Sequence, residues 1–314
     1  MAKSRWLDRL ALLAVIVVFC AAIIVLVCEF ADVSLREVAA RLAALPPRQL
    51  LAAAALTALS YLLLTGYDFL ALRYVRRRLR ARDVLFASFT SFAFANNVGV
   101  QILSGGSTRY RIYRNLGLGS IEIGAIVFFC TVAYALGVVT VGGLLSLIEA
   151  GAVAALLHLP RAVVLMGGCA LLGASVAYLL FCALWRRPVA VAGAHLRLPS
   201  LKLAIAQVVL ASVDAVVVST VFYALLPEGL ALSYLSFLTV YLIAATASVL
   251  SLVPGGLGVF ETAMTVLTAP PSKAAALSAY FAYRLIYFIA PLIVALVLFA
   301  LHEWRGRRDR ATAA

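Results

Sequence analysis

Four charges, Asp68, Asp214, Glu261 and Arg284, lie inside long apolar stretches of this 314-residue chain. Two glycine-broken segments accompany them: NNVGVQILSGGST over residues 96–108 and VPGGLGVFE over residues 253–261. A charge at mid-bilayer costs about 2.5–3.5 kcal/mol on insertion scales, so each must be paired or face a wet cavity. In the first segment Asn96, Asn97 and Gln101 supply donors and acceptors. Gly99, Gly105 and Gly106 let a backbone turn and show its N–H groups to a ligand. Arg109 and Arg111 follow at once. Exposed amides beside guanidinium groups suit an anionic group such as a phosphate. The bland alternative is a loop whose amides bond within the protein, with arginines on lipid headgroups. In the second segment Pro254 stops the incoming helix, and Gly255, Gly256 and Gly258 permit a tight reversal. A short helix is predicted from about Val259, with Glu261 in its first turn. Its positive end could hold an anion, or Glu261 itself could satisfy that end. Arg284 is flanked by Tyr283 and Tyr287, and its candidate partners are Glu261 and Asp214. Asp68, nearer the inner face, is placed either for a simple salt bridge to Arg73 or Arg76 or for a part in the substrate site, as Asp214 is.

The elements that must position these residues follow from composition. Hydrophobic residues make up 65% of the chain and charged residues 12%, against roughly 45–50% and 25% in soluble domains. That excludes a soluble protein and predicts an all-α integral membrane protein. A crossing helix needs about 20 apolar residues, and six stretches qualify: 10–28, 50–75, 121–148, 162–184, 203–226 and 274–301. The first is read as an uncleaved helix, because its apolar run exceeds a signal peptide's core of about 7–15 residues. Residues 34–45 read as an amphipathic surface helix, with Ser34 and Glu37 spaced as a capping box. Residues 84–108 and 230–269 are apolar but broken. The helical part of the former, ending near Ala95, reaches only about 18 Å of a roughly 30 Å core. Both are predicted to be re-entrant hairpins.

Charge tests this topology. With the N-terminus inside, twenty of the 26 Lys and Arg fall on the inner side: Lys3, Arg5, Arg9, Arg73, Arg76, Arg77, Arg78, Arg80, Arg82, Arg109, Arg111, Arg114, Arg186, Arg187, Arg197, Lys202, Arg305, Arg307, Arg308 and Arg310. Arg36, Arg41, Arg48, Arg161 and Lys273 fall outside. Counting either hairpin as a full crossing spoils the segregation. The net charge of +13 is thus an inside-positive bias and no sign of nucleic-acid binding. Both termini are expected to be cytoplasmic.

One transmembrane domain is expected over residues 1–314, with a short cytoplasmic tail at 302–314. A helix carrying Asp68, a broken hairpin and a helix are followed by the same series with Asp214, running the opposite way. Such a pattern-level inverted repeat points to a transport site near the midplane. VAVAGAHLRLP, in the loop of residues 185–202, could form a short strand pair. The small residues of MGGCALLGASVAY suit close helix packing. The five cysteines, Cys20, Cys28, Cys130, Cys169 and Cys182, lie in apolar spans without paired spacing. No nucleophile motif, Walker loop or metal-ligand spacing occurs. The expectation is therefore no enzyme, no cofactor and no metal.

TRYRIYRNLGLG after the glycine loop, the break VPGGLGVFE and the ending AYRLIYFIAPLIVAL, taken in that order, resemble the lysylphosphatidylglycerol synthase transmembrane family. That family includes the flippase region of the multiple peptide resistance factor and short stand-alone homologues. The resemblance extends from YDFLALRYV through the last span. It implies movement of an anionic or aminoacylated phospholipid between leaflets of a bacterial cytoplasmic membrane. By position it makes Arg109, Arg111, Glu261 and Arg284 look like polar residues of a lipid-handling cavity. The chain resembles the short members, without the soluble aminoacyl-transferase domain, so the synthase activity is not carried over. The partners implied are a phospholipid substrate and bilayer lipids, with a homo-oligomer left open. Transport of another anionic or polyprenyl-linked solute, and a non-transporting membrane scaffold, are the alternatives.

Overall fold

A computed structural model describes residues 34–98, 101–185, 189–191, 194–196, 198–226, 233–270 and 272–312. The span expected over residues 10–28, and Gly99, lie outside the described residues. Helix α1 (Leu35–Ala43) leads into α2 (Pro47–Tyr74), α3 (Ala81–Val98), α4 (Gln101–Asn115), α5 (Ser120–Ile148), α6 (Ala150–Leu157) and α7 (Arg161–Leu184). A two-stranded antiparallel ribbon of β1 (Val189–Val191) and β2 (Ala194–Leu196) pairs Ala190 with His195, as the loop's sequence allowed. The chain continues through α8 (Leu201–Tyr223), α9 (Tyr234–Leu250), α10 (Val259–Thr268), α11 (Lys273–Tyr283) and α12 (Ala290–Thr312). Helices α11 and α12 join through a π-helical turn at Arg284–Ile289 into one element.

Among the described residues, five helices are long and apolar enough to cross a membrane: Pro47–Tyr74, Ser120–Ile148, Arg161–Leu184, Leu201–Tyr223 and Lys273–His302. They coincide with the five later spans expected from hydropathy. Their outer faces carry exposed Leu, Ile, Val and Phe, such as Leu62, Ile121, Val163 and Ile293. A water-soluble molecule would bury such side chains, whereas acyl chains accept them.

Helix α1 forms, but the capping box does not: Ser34 makes no side-chain cap bond. Glu37 instead pairs with Arg41 at 3.0 Å, one turn on. Helix α1 packs on α11 and buries Val38, so its apolar side covers protein.

The two Asp-bearing helices, α2 and α8, pack against each other, and α5 packs on both. Backbone proximity there demands small residues. A Cβ on Gly137 of α5 would stand 2.7 Å from the Ala211 carbonyl oxygen of α8. Gly168 of α7 likewise abuts Ser146 and the Gly143 carbonyl of α5, so part of the small-residue run does serve helix packing. Helices α3 and α4 fold back on each other, as do α9 and α10.

The first of these hairpins differs from expectation. Helix α3 continues to Val98, and its 18 residues span about 27 Å. The segment read as an irregular glycine loop is mostly helical, since α4 begins at Gln101. Gly105 and Gly106 thus sit inside a helix, where their amides serve the helical ladder and cannot cradle an anion. Gly106 has only Val127 near a would-be Cβ, at 3.9 Å. A small-polar run does not break a helix when its neighbours hold it.

Candidate functional site

The second break behaves as its sequence dictates. Leu252, Gly255, Gly256 and Gly258 all take positive φ, at 57°, 61°, 61° and 79°. Pro254–Gly256 makes one 3-10 turn before α10 starts. Gly256 has no room for a side chain, because a Cβ there would lie 2.6 Å from the Ser248 Cβ. Glu261 turns back onto the helix start, accepting the Gly258 N–H at 2.9 Å. The positive end of α10 is therefore already occupied by the protein's own carboxylate, and the second of the two readings of this helix end holds.

Glu261 also binds Arg284, Nε to Oε1 at 2.7 Å. The rest of the guanidinium donates to the Gly255 and Gly256 carbonyl oxygens, with the Phe288 ring 4.7 Å away. Of its two candidate partners, Glu261 is the one Arg284 takes. The arginine thus ties the break to the last span.

Arg284 opens the π-helical turn. A π-turn shifts the hydrogen-bond ladder and frees carbonyl groups. Here side chains meet two of them: Asn97 donates to the Phe288 oxygen at 3.1 Å, and Tyr61 to the Tyr287 oxygen at 3.4 Å. Asn97 also bonds the Ala93 carbonyl of its own helix at 2.8 Å, so its amide nitrogen is committed to backbone. The Asn97 carbonyl lies 3.3 Å from where a Gly255 Cβ would stand. The end of α3, the break after α9 and the π-turn therefore meet at one point. Pro254 lies in this junction; Gln101 opens α4, and its side chain is outside the described residues.

A second buried pair stands apart from the first. Asp68 receives Arg109 in a two-pronged arrangement, Nε to Oδ1 at 3.1 Å and a terminal nitrogen to Oδ2 at 3.0 Å. Tyr113 adds a third bond to Oδ1 at 3.0 Å, and Phe92 lies 4.3 Å under the guanidinium. Both charges are buried, at 0% and 4% side-chain exposure. The expected bridge from Asp68 to Arg73 or Arg76 is not formed, and Arg109 is no headgroup arginine. Helix α4 carries it inward because Arg109 and Tyr113 are one helical turn apart on the face toward α2. Arg111, on another face of the same helix, is exposed and stacks over Phe299 at 5.5 Å.

Asp214 is held differently. Ser60 donates to its Oδ1 at 2.8 Å and Tyr67 to its Oδ2 at 3.3 Å. Ser60 in turn bonds the Tyr287 hydroxyl at 3.1 Å. The roles of Ser60, Tyr67, Tyr113, Tyr61 and Tyr241 lay beyond sequence reasoning. The one available signal was the need of Asp68 and Asp214 for buried partners.

These groups surround a cavity of about 300 Å³. Asn96, Arg109, Asp214, Arg284, Tyr287 and the Gly255–Gly256 backbone line it, within a mainly apolar wall. An aromatic cluster forms part of that wall: Tyr283 stacks on Tyr287 and Phe222, and its hydroxyl bonds Tyr241 at 2.8 Å. Two lining residues are exposed, Thr131 midway along α5 and Leu252 two residues past the end of α9. Thr131 and Leu252 thus bring the cavity wall to the protein surface.

Fold and site together define a multi-pass helical membrane protein with a charged central cavity bounded by broken helices. Residues 10–295 match the family described as the lysylphosphatidylglycerol synthase TM region, and the chain belongs to that family. Among its relatives, the uncharacterized protein slr0712 of Synechocystis sp. is 36% identical over 264 residues, covering 83% of this chain and 82% of its own. The inner membrane protein YbhN of Escherichia coli K12 is 34% identical over 268 residues, with the same two coverages.

Proposed function

We propose that the protein carries an anionic phospholipid, plain or aminoacylated, between leaflets of a bacterial cytoplasmic membrane, as a transporter and not an enzyme. The observation that carries this reading is a guanidinium-bearing cavity at the meeting point of helix breaks, with exposed Thr131, midway along α5, in its wall. A soluble anion needs a path from water, whereas a lipid headgroup needs a side entrance while its tails stay in the bilayer. About 300 Å³ is the low end of ligand pockets and suits a headgroup without its chains. Arg284 and Arg109 would meet the phosphate, with Asn96 and the Gly255–Gly256 backbone shaping the seat.

Under this reading the chain makes six crossings, the first over residues 10–28, and the two hairpins enter and leave on one side each. They oppose one another as an inverted repeat, with both termini cytoplasmic. The inner-membrane relative and the inside-positive charge bias favour that placement. Headgroup access would alternate between the two hairpins.

Reconstitution with fluorescent anionic phospholipid and dithionite quenching tests the reading. Protein-dependent loss of the protected fluorescence is expected, and at least a tenfold slower rate for Arg284→Lys, which keeps the charge but not the forked geometry. Quenching equal in empty and protein-containing vesicles, for anionic and zwitterionic lipid alike, would refute it.

A further inference from the structure

Among the described residues, the three buried carboxylates are not equivalent. Asp68 faces Arg109, and Glu261 faces Arg284. Asp214 is equally deep, 6% exposed, yet among the described residues its bonds are to hydroxyl groups, those of Ser60 and Tyr67. A carboxylate in such surroundings lacks the countercharge that burial demands. Taking up a proton removes that demand.

We propose that Asp214 is a proton-binding site whose occupancy sets the Arg284 turn and so couples lipid movement to the proton gradient. The coupling rests on the transport reading above; proton binding does not.

The groups around Asp214 fit the role. From α2 come Tyr61 and Tyr67, from α5 Tyr134, from α9 Tyr241 and from the π-turn Tyr287. Tyr283, at the end of α11, is tied to Tyr241. Helix α7 offers Tyr178, which bonds Gln207 about two turns along α8 and stands away from the site. The arginines that line the cavity are turned to other partners, Arg109 to Asp68 and Arg284 to Glu261. Asp214 is thus ringed by hydroxyls that give and accept hydrogen bonds without carrying charge.

The chain Asp214–Ser60–Tyr287 supplies the transmission. With Asp214 ionised, Ser60 donates to it and accepts from Tyr287. Once a proton binds, the new carboxyl O–H donates to Ser60 Oγ, and Ser60 must turn its own proton toward Tyr287. The Tyr287 hydroxyl then becomes an acceptor and gives up its donor role. Tyr287 lies three residues beyond Arg284 in the same turn, and its carbonyl is held by Tyr61. A proton on Asp214 thereby changes the bonding of the element that carries the cavity's guanidinium. Charge balances at each step, since one proton enters and one negative charge disappears.

Infrared difference spectra of the protein in lipid nanodiscs, between pH 5 and 9, test proton binding. A protonated-carboxyl band present in the wild type, absent in Asp214→Asn and shifted in Ser60→Ala is expected. Identical difference spectra for wild type and Asp214→Asn would overturn the proposal. Coupling is read in proteoliposomes carrying fluorescent phosphatidylglycerol and a one-unit pH gradient. The wild-type rate should change at least threefold when the gradient is reversed, and Asp214→Asn should lose that difference. Flipping indifferent to the gradient overturns the coupling while leaving transport intact, as does flipping driven by a sodium gradient instead. If the wild type moves no lipid, the transport reading fails and takes the coupling with it; the infrared result alone then decides the proton site.

Discussion

Asp68→Asn would leave the Arg109 guanidinium buried opposite a neutral amide. Two charge-assisted bonds, at 3.1 and 3.0 Å, are weakened, each worth about 1.5–3 kcal/mol. The larger effect is the orphaned charge, since breaking one side of a buried pair costs about 3–5 kcal/mol. The retained amide oxygen can still accept one bond, which puts the loss near 3 kcal/mol. Arg109→Met orphans the carboxylate instead. Tyr113 keeps donating to it, so a loss of about 3 kcal/mol is again expected. The double variant Asp68→Leu/Arg109→Met removes both charges at similar volume and sets a thioether over the Phe92 ring. It should fall within about 1–2 kcal/mol of wild type. Unfolding by sodium dodecyl sulfate in mixed micelles, followed by circular dichroism, measures all three. Additive losses, with the double variant as weak as the singles combined, would refute the reasoning that the pair compensates itself. The stable double variant then separates structure from transport: lipid flipping at the wild-type rate would remove Arg109 from the phosphate path and leave Arg284 alone there.

Gly256→Ala combines a positive φ of 61° with a Cβ 2.6 Å from Ser248, and should cost about 2–4 kcal/mol in the same unfolding assay. Gly106→Ala should do the opposite, gaining about 0.5–1 kcal/mol, because a helical glycine with its nearest neighbour at 3.9 Å pays backbone entropy without needing the space. Asn97→Ala leaves the Phe288 carbonyl without its 3.1 Å donor. It should cost about 1–3 kcal/mol and raise amide exchange in the residues after Arg284.

Long spans were legible because twenty-odd apolar residues admit one solution in lipid. The break at residues 253–258 was legible because proline and three glycines leave the backbone no helical path. That Arg284 needs a deep carboxylate was legible from charges too deep to stand alone, but the choice of Glu261 over Asp214 came from the fold. The first hairpin misled for the same kind of reason: glycine and asparagine were read by propensity, and packing against neighbouring helices overrode it. Asp68 was given to the arginines nearest in sequence, although a partner 41 residues away lies closer in space once α4 folds back. The π-turn left no mark at all, since RLIYFI is ordinary helix composition and the insertion depends on partners for the freed carbonyls.

The geometry constrains how a phosphate could be held. Each cavity arginine already has a carboxylate, so an anion gains a guanidinium only in competition with Asp68 or Glu261. At Arg284 the competition reaches further, because the same guanidinium holds the Gly255 and Gly256 carbonyls. A phosphate that draws Arg284 toward the cavity must loosen the break, and the break sits against the end of α3. Binding energy is thereby converted into movement of the hairpin tips, provided the phosphate binds the loosened state more tightly than the closed one. Asp214 enters the same balance. While ionised it repels an anion arriving at Arg284, and while protonated it does not. A lipid phosphate and a proton would therefore favour one another's binding in this cavity, and by linkage the effect is mutual.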